Sequence, residues 1–416
     1  MANRKLGTKC IRSGYVPKKG EPQVLPIIQS TTFKYDNSQQ MAELFDLEAS
    51  GYFYSRLQNP TTDAVAAKIT DLEGGVAAMM TSSGQAANFL AVINIASAGD
   101  HVLASSSIYG GTYNLFGVTL KKLGIDCTFV DQDLDLEELQ NEIKPNTKLV
   151  FGETIANPTV KVLDIEKFAA LAHNNGIPLL VDNTFATPVF CRPFEFGADI
   201  VTHSTSKYMD GHAISLGGCI VDSGNFDWEQ NDKFPGLTTP DDSYHGLIYT
   251  KKFGKGAFIT KATVQLMRDL GSTMAPMNAF LLNLGLETLH LRMPRHYENA
   301  LAIARFLKDH PKVAWVNFPN LEDDSYFNLT QKYLPEGSCG VLAFGLKDYD
   351  ATTTKFVDKL ELVSIVTHVA DARTCLLHPA SHTHRQMTKE QLQEAGVAPD
   401  LIRLSVGIED VSDIIA

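Results

Sequence analysis

Lys207 lies among hydroxyl side chains in the stretch "HSTSKY", which follows the apolar run "DIVT". Its neighbours Ser204, Thr205 and Ser206 cannot neutralise a buried ammonium group, but they can bind an anion. An amine that is removed from water has a lowered pKa, so a lysine in such a place can act as a nucleophile and as a base. The alternative interpretation is an ordinary surface lysine at the end of a strand.

Two further strand ends carry chemically useful groups. Asp182 ends the apolar run of "PLLVDNTF", where a carboxylate is costly to bury unless it meets a cation or several hydrogen-bond donors. The stretch "MMTSSGQAANFL" passes through Ser82, Ser83 and Gly84 into an uncharged helix, whose first N–H groups and dipole suit a phosphate. Each signal has a structural alternative: Asp182 as a cap or ion-pair partner, and the two serines as helix caps.

A lysine, an aspartate and a phosphate-binding turn are together what pyridoxal phosphate (PLP) requires. The lysine holds the aldehyde, the aspartate keeps the pyridine nitrogen protonated, and the turn anchors the phosphate. A dinucleotide is disfavoured because "GKGAFI", at 254–259, lacks a third glycine and a preceding strand. His378, His382 and His384 have no carboxylate or cysteine at a familiar spacing. The sequence therefore predicts a PLP site and no metal site.

These strand ends belong to a repeating pattern of short apolar runs and amphipathic stretches between residues 61 and 224. Seven runs are predicted to be strands: VAAMMTSS, HVLASSS, CTFVD, KLVFGET, PLLVDNT, DIVTHS and GGCIVDS. Stretches with apolar residues at helical spacing separate them, so the pattern indicates an α/β fold in which a mostly parallel sheet of seven strands lies between helices. Ligands of such sheets bind at the carboxyl ends of the strands.

The chain is expected to divide into three parts. Residues 1–60 have little periodicity and are predicted to be an extended arm that lies on another surface, for which a neighbouring subunit is one candidate. Residues 61–272 would form the large PLP-binding domain, and residues 273–416 a smaller α+β domain. The smaller domain begins with a strongly helical stretch in which Pro294 predicts a break or kink, followed by the apolar runs VAWVNFP, GVLAFGLK, LVSIVTHV and DLIRLSVGIED.

Composition narrows the classes of function. The 416 residues carry a net charge of −12 without a dense run of lysine and arginine, which argues against a nucleic-acid partner. No apolar run approaches the roughly 18 residues of a membrane helix, and the first residues lack the apolar core of a secretory leader. The six scattered cysteines are typical of buried thiols in a reducing compartment. We expect a soluble, cytoplasmic protein that acts on a small molecule, with no nucleic-acid and no membrane partner.

Eight motifs, taken together, resemble those of one family: YFYSRLQNPTT, TSSGQAA, IYGGTY, ETIANPT, VDNTF, HSTSKY, HPASHTH and LIRLSVGIED. From about residue 8 to its end, the chain is similar to the Cys/Met-metabolism family of PLP-dependent enzymes. That family includes cystathionine synthases and lyases, methionine gamma-lyase and O-acetylhomoserine sulfhydrylase. The resemblance implies the fold type I of PLP-dependent transferases and a homotetramer, a dimer of dimers that share active sites.

The resemblance also implies a role for each matching residue. Lys207 would bind the cofactor's aldehyde and then move protons between substrate carbons, while Asp182 would pair with the pyridinium nitrogen. Tyr109 would stack on the ring and assist at the leaving group. The cofactor phosphate would be bound by Gly84, Gln85, Ser204 and Ser206, together with Tyr54 and Arg56 of a neighbouring subunit. Asn157 would contact the phenolic oxygen of the cofactor, and Arg403, with His368 nearby, would bind the substrate carboxylate.

Two features favour the sulfhydrylase branch within the family. Gly111 stands in "IYGGTY" where methionine gamma-lyases usually have cysteine, and the long segment 225–262 is shorter or missing in the lyases. The expected reaction converts O-acetyl-L-homoserine and sulfide, or methanethiol, to L-homocysteine, or methionine, and acetate. The alternatives are a methionine gamma-lyase, a cystathionine gamma-lyase or synthase, and a non-catalytic relative that only binds PLP. One departure from the family is "HVAD", where His368 and Ala370 replace the usual Asn or Ser and the usual Gly.

Overall fold

The computed structural model of the chain describes residues 4–381 and 397–416. Its larger sheet has seven strands: β1 (Ala77–Thr81), β2 (His101–Ser105), β3 (Asp126–Val130), β4 (Thr147–Glu153), β5 (Leu179–Asp182), β6 (Ile200–His203) and β7 (Gly218–Asp222). They lie in the order β1-β7-β6-β5-β4-β2-β3. All pairs among β2 to β6 are parallel, whereas β7 is antiparallel to both β6 and β1. The predicted seven strands and mostly parallel sheet are therefore confirmed.

Helices connect and cover these strands. The α-helices are α1 (Leu6–Arg12), α2 (Ser38–Phe45), α3 (Pro60–Glu73), α4 (Gly84–Ile93), α5 (Gly110–Asn114), α6 (Leu136–Asn141), α7 (Ile165–Asn174), α8 (Thr187–Phe190), α9 (Pro235–Thr238), α10 (Tyr249–Phe253), α11 (Ala257–Lys261), α12 (Arg268–Leu270), α13 (Pro276–Asp309), α14 (Phe327–Tyr333), α15 (Tyr349–Val357) and α16 (Val411–Ile415). Two π-helical segments, Leu115–Leu120 and Ala262–Met267, continue α5 and α11. Short 3-10 helices span Pro193–Phe196, Asp242–Tyr244, Gly254–Gly256 and Pro379–Ser381. No helix within the described ranges is both long and apolar enough to cross a membrane.

The register of the central strands positions the polar strand ends beside each other. Every residue of β2, β6 and β7 is buried, as expected for strands covered on both faces. Glu153 at the end of β4 lies opposite Asp182 at the end of β5, and Asp182 lies opposite Thr202 on β6. The turn that carries Lys207 starts directly after β6. Side chains from distant parts of the sequence therefore meet at one edge of the sheet.

A second sheet has five strands: β8 (Val313–Asn317), β9 (Val341–Leu346), β10 (Ser364–Ile365), β11 (Cys375–Leu377) and β12 (Ile402–Ser405), in the order β10-β11-β12-β9-β8. Four of them fall in predicted runs, but LVSIVTHV contributes only the two exposed residues of β10. Strand β11 was not predicted. Its three residues are all buried, and so short an apolar run shows no periodicity that could identify it as a strand.

Helix α13 joins two hydrophobic clusters. Its buried residues Leu282, Leu286 and Met293 belong to the cluster around the larger sheet, and Ala300 and Ile303 belong to the cluster around the smaller sheet. Of the predicted break or kink at Pro294, the break is wrong, because the helix runs unbroken from Pro276 to Asp309. Proline removes one backbone hydrogen bond, and packing of the helix against both clusters compensates for that loss.

The first 60 residues contain more helix than the sequence predicted. Helix α1 packs against α3 and α13 of the same chain, with Cys10 fully buried. Beyond α1, many apolar side chains are exposed, including Val16, Val24 and Phe45. That the segment lies against another subunit stays a prediction.

Candidate active site

A cavity of about 270 Å³ lies where β4, β5 and β6 end. It is lined by ten of the predicted site residues: Gly84, Gln85, Tyr109, Asn157, Asp182, Ser204, Ser206, Lys207, His368 and Arg403. A second cavity of about 520 Å³ shares several of these lining residues and extends the first. Tyr54 and Arg56 do not line either cavity. The structure therefore brings together ten of twelve predicted residues within one chain.

Lys207 projects into the cavity from the turn that follows β6. The turn is held by backbone hydrogen bonds from Lys207 N–H to Ser204 O and from Gly211 N–H to Lys207 O, at 3.2 and 2.8 Å. Burial, reinforced by the positive charge of Arg403, lowers the pKa of Lys207 to about 8. The amine is thus far more available for nucleophilic attack and proton abstraction than that of a surface lysine. Its Nζ lies 3.2 Å from Nδ1 of His368.

Three donors orient the carboxylate of Asp182. The backbone N–H and the hydroxyl of Thr184 both donate to Oδ1, at 3.0 and 2.5 Å, and the amide of Asn88 donates to Oδ2 at 3.2 Å. Asn88 is itself fixed because its Oδ1 accepts the hydroxyl proton of Thr202 at 2.5 Å. A carboxylate held in this way can face a protonated ring nitrogen without rotating.

The amino terminus of α4 forms one wall of the cavity. Ser83 caps the helix by accepting the N–H of Ala86 at 3.1 Å, while Gly84 and Gln85 line the cavity and carry first-turn N–H groups that have no intrahelical acceptor. A side-chain carbon at residue 84 would lie 2.6 Å from Cβ of Ser204, so only glycine allows this close approach. The hydroxyl of Ser206 donates to Gly217 O at 3.1 Å, so it would have to turn to bind an anion.

Arg403 is a buried cation that lacks an acidic partner among the described residues. Its guanidinium donates from Nη1 to Asn157 Oδ1 at 3.1 Å and from Nη2 to the carbonyl of His368 at 3.0 Å. Burial lowers the pKa of Arg403, and its Nε has no hydrogen-bond partner in the described part of the chain. An unpaired buried guanidinium that lines a cavity is suited to bind a carboxylate of a ligand.

Sequence reasoning missed Glu153, a buried carboxyl group in the same cavity. Its Oε1 accepts the backbone N–H of Tyr109 at 2.8 Å, and the backbone N–H of Asn157 also donates to this carboxyl group. Burial, and then the nearby charge of Asp182, raises the pKa of Glu153 well above its usual value. Its only signal was its place at the end of the apolar run in "ETIANPT".

Asn88 and Thr184 were also missed. Gln85 and Asn88 are the two amides of the apolar helix α4, and Asn88 lies four residues after Gly84 and hence on the same face. Thr184 lies two residues after Asp182, a spacing at which a hydroxyl can reach the preceding carboxylate. Both signals were present in the sequence.

Tyr54, Arg56 and His378 do not line the cavity. Tyr54 and Arg56 lie next to each other, with the guanidinium carbon of Arg56 5.0 Å from the centre of the Tyr54 ring. Nε2 of His378 lies 2.9 Å from the carbonyl of Pro399. His382 and His384 fall outside the described residues, and no cluster of potential metal ligands occurs within the described ones.

Comparison with known proteins agrees with this geometry. Residues 7–416 match the family model of the Cys/Met metabolism PLP-dependent enzymes. The chain belongs to this family. It is 46% identical over 409 residues to the homocysteine/cysteine synthase of Kluyveromyces lactis, covering 95% of this chain and 91% of that protein. It is 45% identical over 414 residues to the O-acetyl-L-homoserine sulfhydrylase of Corynebacterium glutamicum, covering 98% and 94%.

A crystal structure of a family member is also very similar. The protein of Campylobacter jejuni named O-acetylhomoserine (thiol)-lyase superposes with a TM-score of 0.96 at 38% identity, covering 99% of this chain and 98% of that one. That crystal structure carries a pyridoxyl-lysine phosphate. The expected cofactor and fold of this family member are thereby confirmed: the chain is a PLP-dependent enzyme with an α/β fold.

The residues of the cavity fit PLP. The close approach of Gly84 to Ser204 leaves the first turn of α4 open for a phosphate, and the oriented carboxylate of Asp182 provides a partner for a pyridinium. Lys207 supplies the amine, and the unpaired guanidinium of Arg403 remains for a second anionic group. One cavity therefore offers groups suited to the phosphate, the ring nitrogen and the aldehyde of the cofactor, and to the carboxylate of an amino acid.

Proposed function

We propose that this chain is an O-acetyl-L-homoserine sulfhydrylase, which replaces the γ-acetate of its substrate with sulfide to give L-homocysteine. The observation that carries the proposal is the meeting of an amine, a carboxylate and an unpaired guanidinium, Lys207, Asp182 and Arg403, in one cavity. The relatives at 46 and 45% identity, a homocysteine/cysteine synthase and an O-acetyl-L-homoserine sulfhydrylase, support the same class of reaction.

Lys207 performs the proton transfers of this reaction. Bound PLP would supply the electron sink that makes the proton on the substrate's Cα acidic. The Lys207 amine would take this proton and pass it on to the cofactor, so that it can then take a proton from Cβ as acetate leaves from Cγ. After sulfide has added at Cγ, the amine would return one proton to Cβ and one to Cα. A pKa of about 8 keeps a useful fraction of the Lys207 amine unprotonated at neutral pH. Asp182 maintains the positive charge of the ring nitrogen throughout.

The substrate is held at its α-carboxylate. Arg403 would bind this group, because its guanidinium lines the cavity and has no acidic partner among the described residues, while Asn157 and the carbonyl of His368 fix the guanidinium plane. Tyr109 lines both cavities, with about half of its surface exposed. From there it would contact the cofactor ring and assist the departure of acetate. The larger cavity gives the acetyl group and the incoming sulfide room to pass.

A second copy of the chain completes the site. Tyr54 and Arg56 lie outside both cavities of their own chain, and we assign them to the cofactor phosphate of a neighbouring subunit in a homotetramer. The exposed apolar residues of the first 60 positions supply the contact surface. Mixing an Arg56→Ala chain with a Lys207→Ala chain tests this assignment, because shared sites restore part of the activity whereas sites within single chains restore none.

The proposal extends to the domain organisation of the chain and to its location in the cell. Residues 1–60 act as the arm, 61–272 as the PLP-binding domain and 273–416 as the smaller domain, in an enzyme of the cytoplasm. The net charge of −12 and the small, charged cavity suit amino-acid chemistry rather than a macromolecular partner.

The deciding experiment compares two incubations of the purified, PLP-loaded protein. O-acetyl-L-homoserine with sulfide should give homocysteine and acetate, while methionine or cystathionine alone should give little 2-oxobutyrate. Rapid 2-oxobutyrate formation with no homocysteine would assign the chain to the lyases instead. Lys207→Ala is the matched inactive control, and methanethiol in place of sulfide measures the preference for the sulfur donor.

A further inference from the structure

His368 lies between the amine of Lys207 and a carboxylate. Its Nδ1 is 3.2 Å from Lys207 Nζ, and its Nε2 is 3.7 Å from Oδ2 of Asp371. Within the described residues, Nε2 has no hydrogen-bond partner at shorter range. The amine, the imidazole and the carboxylate therefore form a row in which the imidazole separates the two charged groups.

The loop that carries this row is fixed at several points. The carbonyl of His368 accepts from Arg403 at 3.0 Å, and the N–H of Ala370 donates to the hydroxyl of Ser405 at 2.7 Å. Oδ1 of Asp371 accepts the backbone N–H and Nε of Arg373, at 2.6 and 3.2 Å. Oδ2 of Asp371 is left facing the imidazole.

A carboxylate beside Nε2 selects one of the two neutral forms of the imidazole. It favours the form with the proton on Nε2, because the N–H then points toward negative charge. Nδ1 in that form has a free lone pair, which faces the amine of Lys207. The other neutral form, with the proton on Nδ1, would place that N–H against the N–H groups of the Lys207 amine.

We propose that His368, oriented by Asp371, is a positioning residue that holds the amine of Lys207 by accepting a hydrogen bond at Nδ1 whenever that amine is not joined to the cofactor. The inference rests on the proposed function, since it concerns the proton transfers that Lys207 performs. It differs from the expectation that residue 368 contacts the substrate carboxylate. No bond is made or broken by His368 itself.

The charged groups around His368 support a neutral acceptor rather than a proton carrier. Burial, and then the charge of Lys207, lowers the pKa of His368 to about 4, with Arg403 acting in the same direction and Asp371 and Asp210 opposing it. The pKa of Lys207 is about 8, so the proton stays on the amine. The imidazole can therefore orient the amine but does not take its proton.

Three single variants and one double variant separate the proposal from its alternatives. His368→Ala removes the acceptor, and His368→Asn places an amide oxygen near the position of Nδ1. In Asp371→Asn, the two contacts from Arg373 keep the oxygen at the Oδ1 position, so the amide NH₂ faces Nε2 and favours the form of the imidazole that repels Lys207. The double variant of His368→Ala and Asp371→Asn measures the coupling between the two residues.

The rate is measured as exchange of the Cα proton of L-norvaline in D₂O, observed by NMR with the PLP-loaded protein. Norvaline has no γ-leaving group, so this step reports on Lys207 even where the protein is not a sulfhydrylase. A wild-type protein that exchanges the Cα proton of norvaline but makes no homocysteine would reject the proposed function and leave the proposal for His368 standing. A second readout is the ¹⁵N spectrum of histidine-labelled protein, in which the His368 signals are assigned by their absence in His368→Asn.

At saturating norvaline, His368→Ala and Asp371→Asn should each lower the exchange rate roughly 10- to 100-fold, because each loses a hydrogen bond to a charged group. KM should change little, His368→Asn should recover most of the rate, and the double variant should be no slower than His368→Ala. The ¹⁵N signals should show an unprotonated Nδ1 in the wild type and a protonated one in Asp371→Asn. A raised KM with unchanged saturated rate, full activity of Asp371→Asn, or the same ring form in both proteins would each overturn the proposal.

Discussion

Replacing Gly84 with alanine tests how closely the first turn of α4 must approach β6. The added carbon would lie 2.6 Å from Cβ and 2.8 Å from Cα of Ser204. Ordinary contacts between carbons are about 3.5 Å or longer, so the start of α4 has to retreat by roughly 1 Å. Ser204 cannot yield instead, because its N–H is held by the hydroxyl of Thr184 at 2.8 Å.

Two effects should follow from this displacement. Overpacking of this kind costs about 1–3 kcal/mol of folding free energy. The N–H groups of the first turn also leave the phosphate position, and the loss of one charge-assisted hydrogen bond, about 1.5–3 kcal/mol, weakens PLP affinity roughly 10- to 100-fold. PLP affinity is measured by titrating the cofactor-free protein with PLP and following the visible absorbance, and stability by the thermal unfolding midpoint.

Gly256→Ala is the matched control. A carbon at that residue would meet Thr260 Oγ1 only at 3.9 Å, and the backbone φ of −90° suits alanine. The control should bind PLP like the wild type and unfold at the same temperature. Equal PLP affinity and equal unfolding midpoints for the two variants would refute the argument that the approach of α4 to Ser204 shapes the phosphate site.

Three further changes have defined outcomes. Arg403→Lys should raise KM for O-acetyl-L-homoserine roughly 10- to 100-fold and leave kcat closer to the wild-type value, because a lysine cannot bind a carboxylate in two places; an unchanged KM would exclude the residue as the carboxylate clamp. Ala370→Gly should stabilise the protein by about 1 kcal/mol, since φ is 67° at this alanine, and a lower unfolding midpoint would contradict that. Burial lowers the pKa of His296 to about 4. Between about pH 4 and 6.5 the folded protein therefore binds fewer protons at this residue than the unfolded chain does, and the free energy of unfolding falls as the pH is lowered through that range. His296→Asn, which can keep the hydrogen bond to Val406 O, should flatten the pH dependence of the unfolding free energy, and an unaltered slope would count against it.

The larger sheet could be predicted because each strand is a run of apolar residues followed by a helix or turn signal. Lys207 and Asp182 stood out because charged groups directly after such runs are expensive to bury. Arg403 and His368 gave no comparable local signal, since each meets Lys207 only through folding of the smaller sheet against the larger one, and the family resemblance alone indicated them. Glu153 also ends an apolar run and gave the same signal as Asp182, so it could have been predicted; only its position opposite Asp182 depends on the pairing of β4 with β5.

Strand β11 and the continuity of α13 depend on packing that the local sequence does not encode. The three residues of β11 are buried between β10 and β12, and so short a run is compatible with any buried conformation. Pro294 is tolerated because both ends of α13 are anchored in separate clusters. The assignment of Tyr54 and Arg56 to a second subunit likewise stays a prediction, because a single chain does not contain that contact.

Helix α13 makes hydrogen bonds to the segment that carries Lys207 and to the segment that carries Arg403. Arg292 donates to the carbonyl of Tyr208, the residue after Lys207, and His296 donates to the carbonyl of Val406, three residues after Arg403. Pro294 lies midway between Arg292 and His296. One helical turn of α13, from Arg292 to His296, thus fixes the distance between Lys207 and Arg403, and a substitution within that turn would change this distance without contacting either residue.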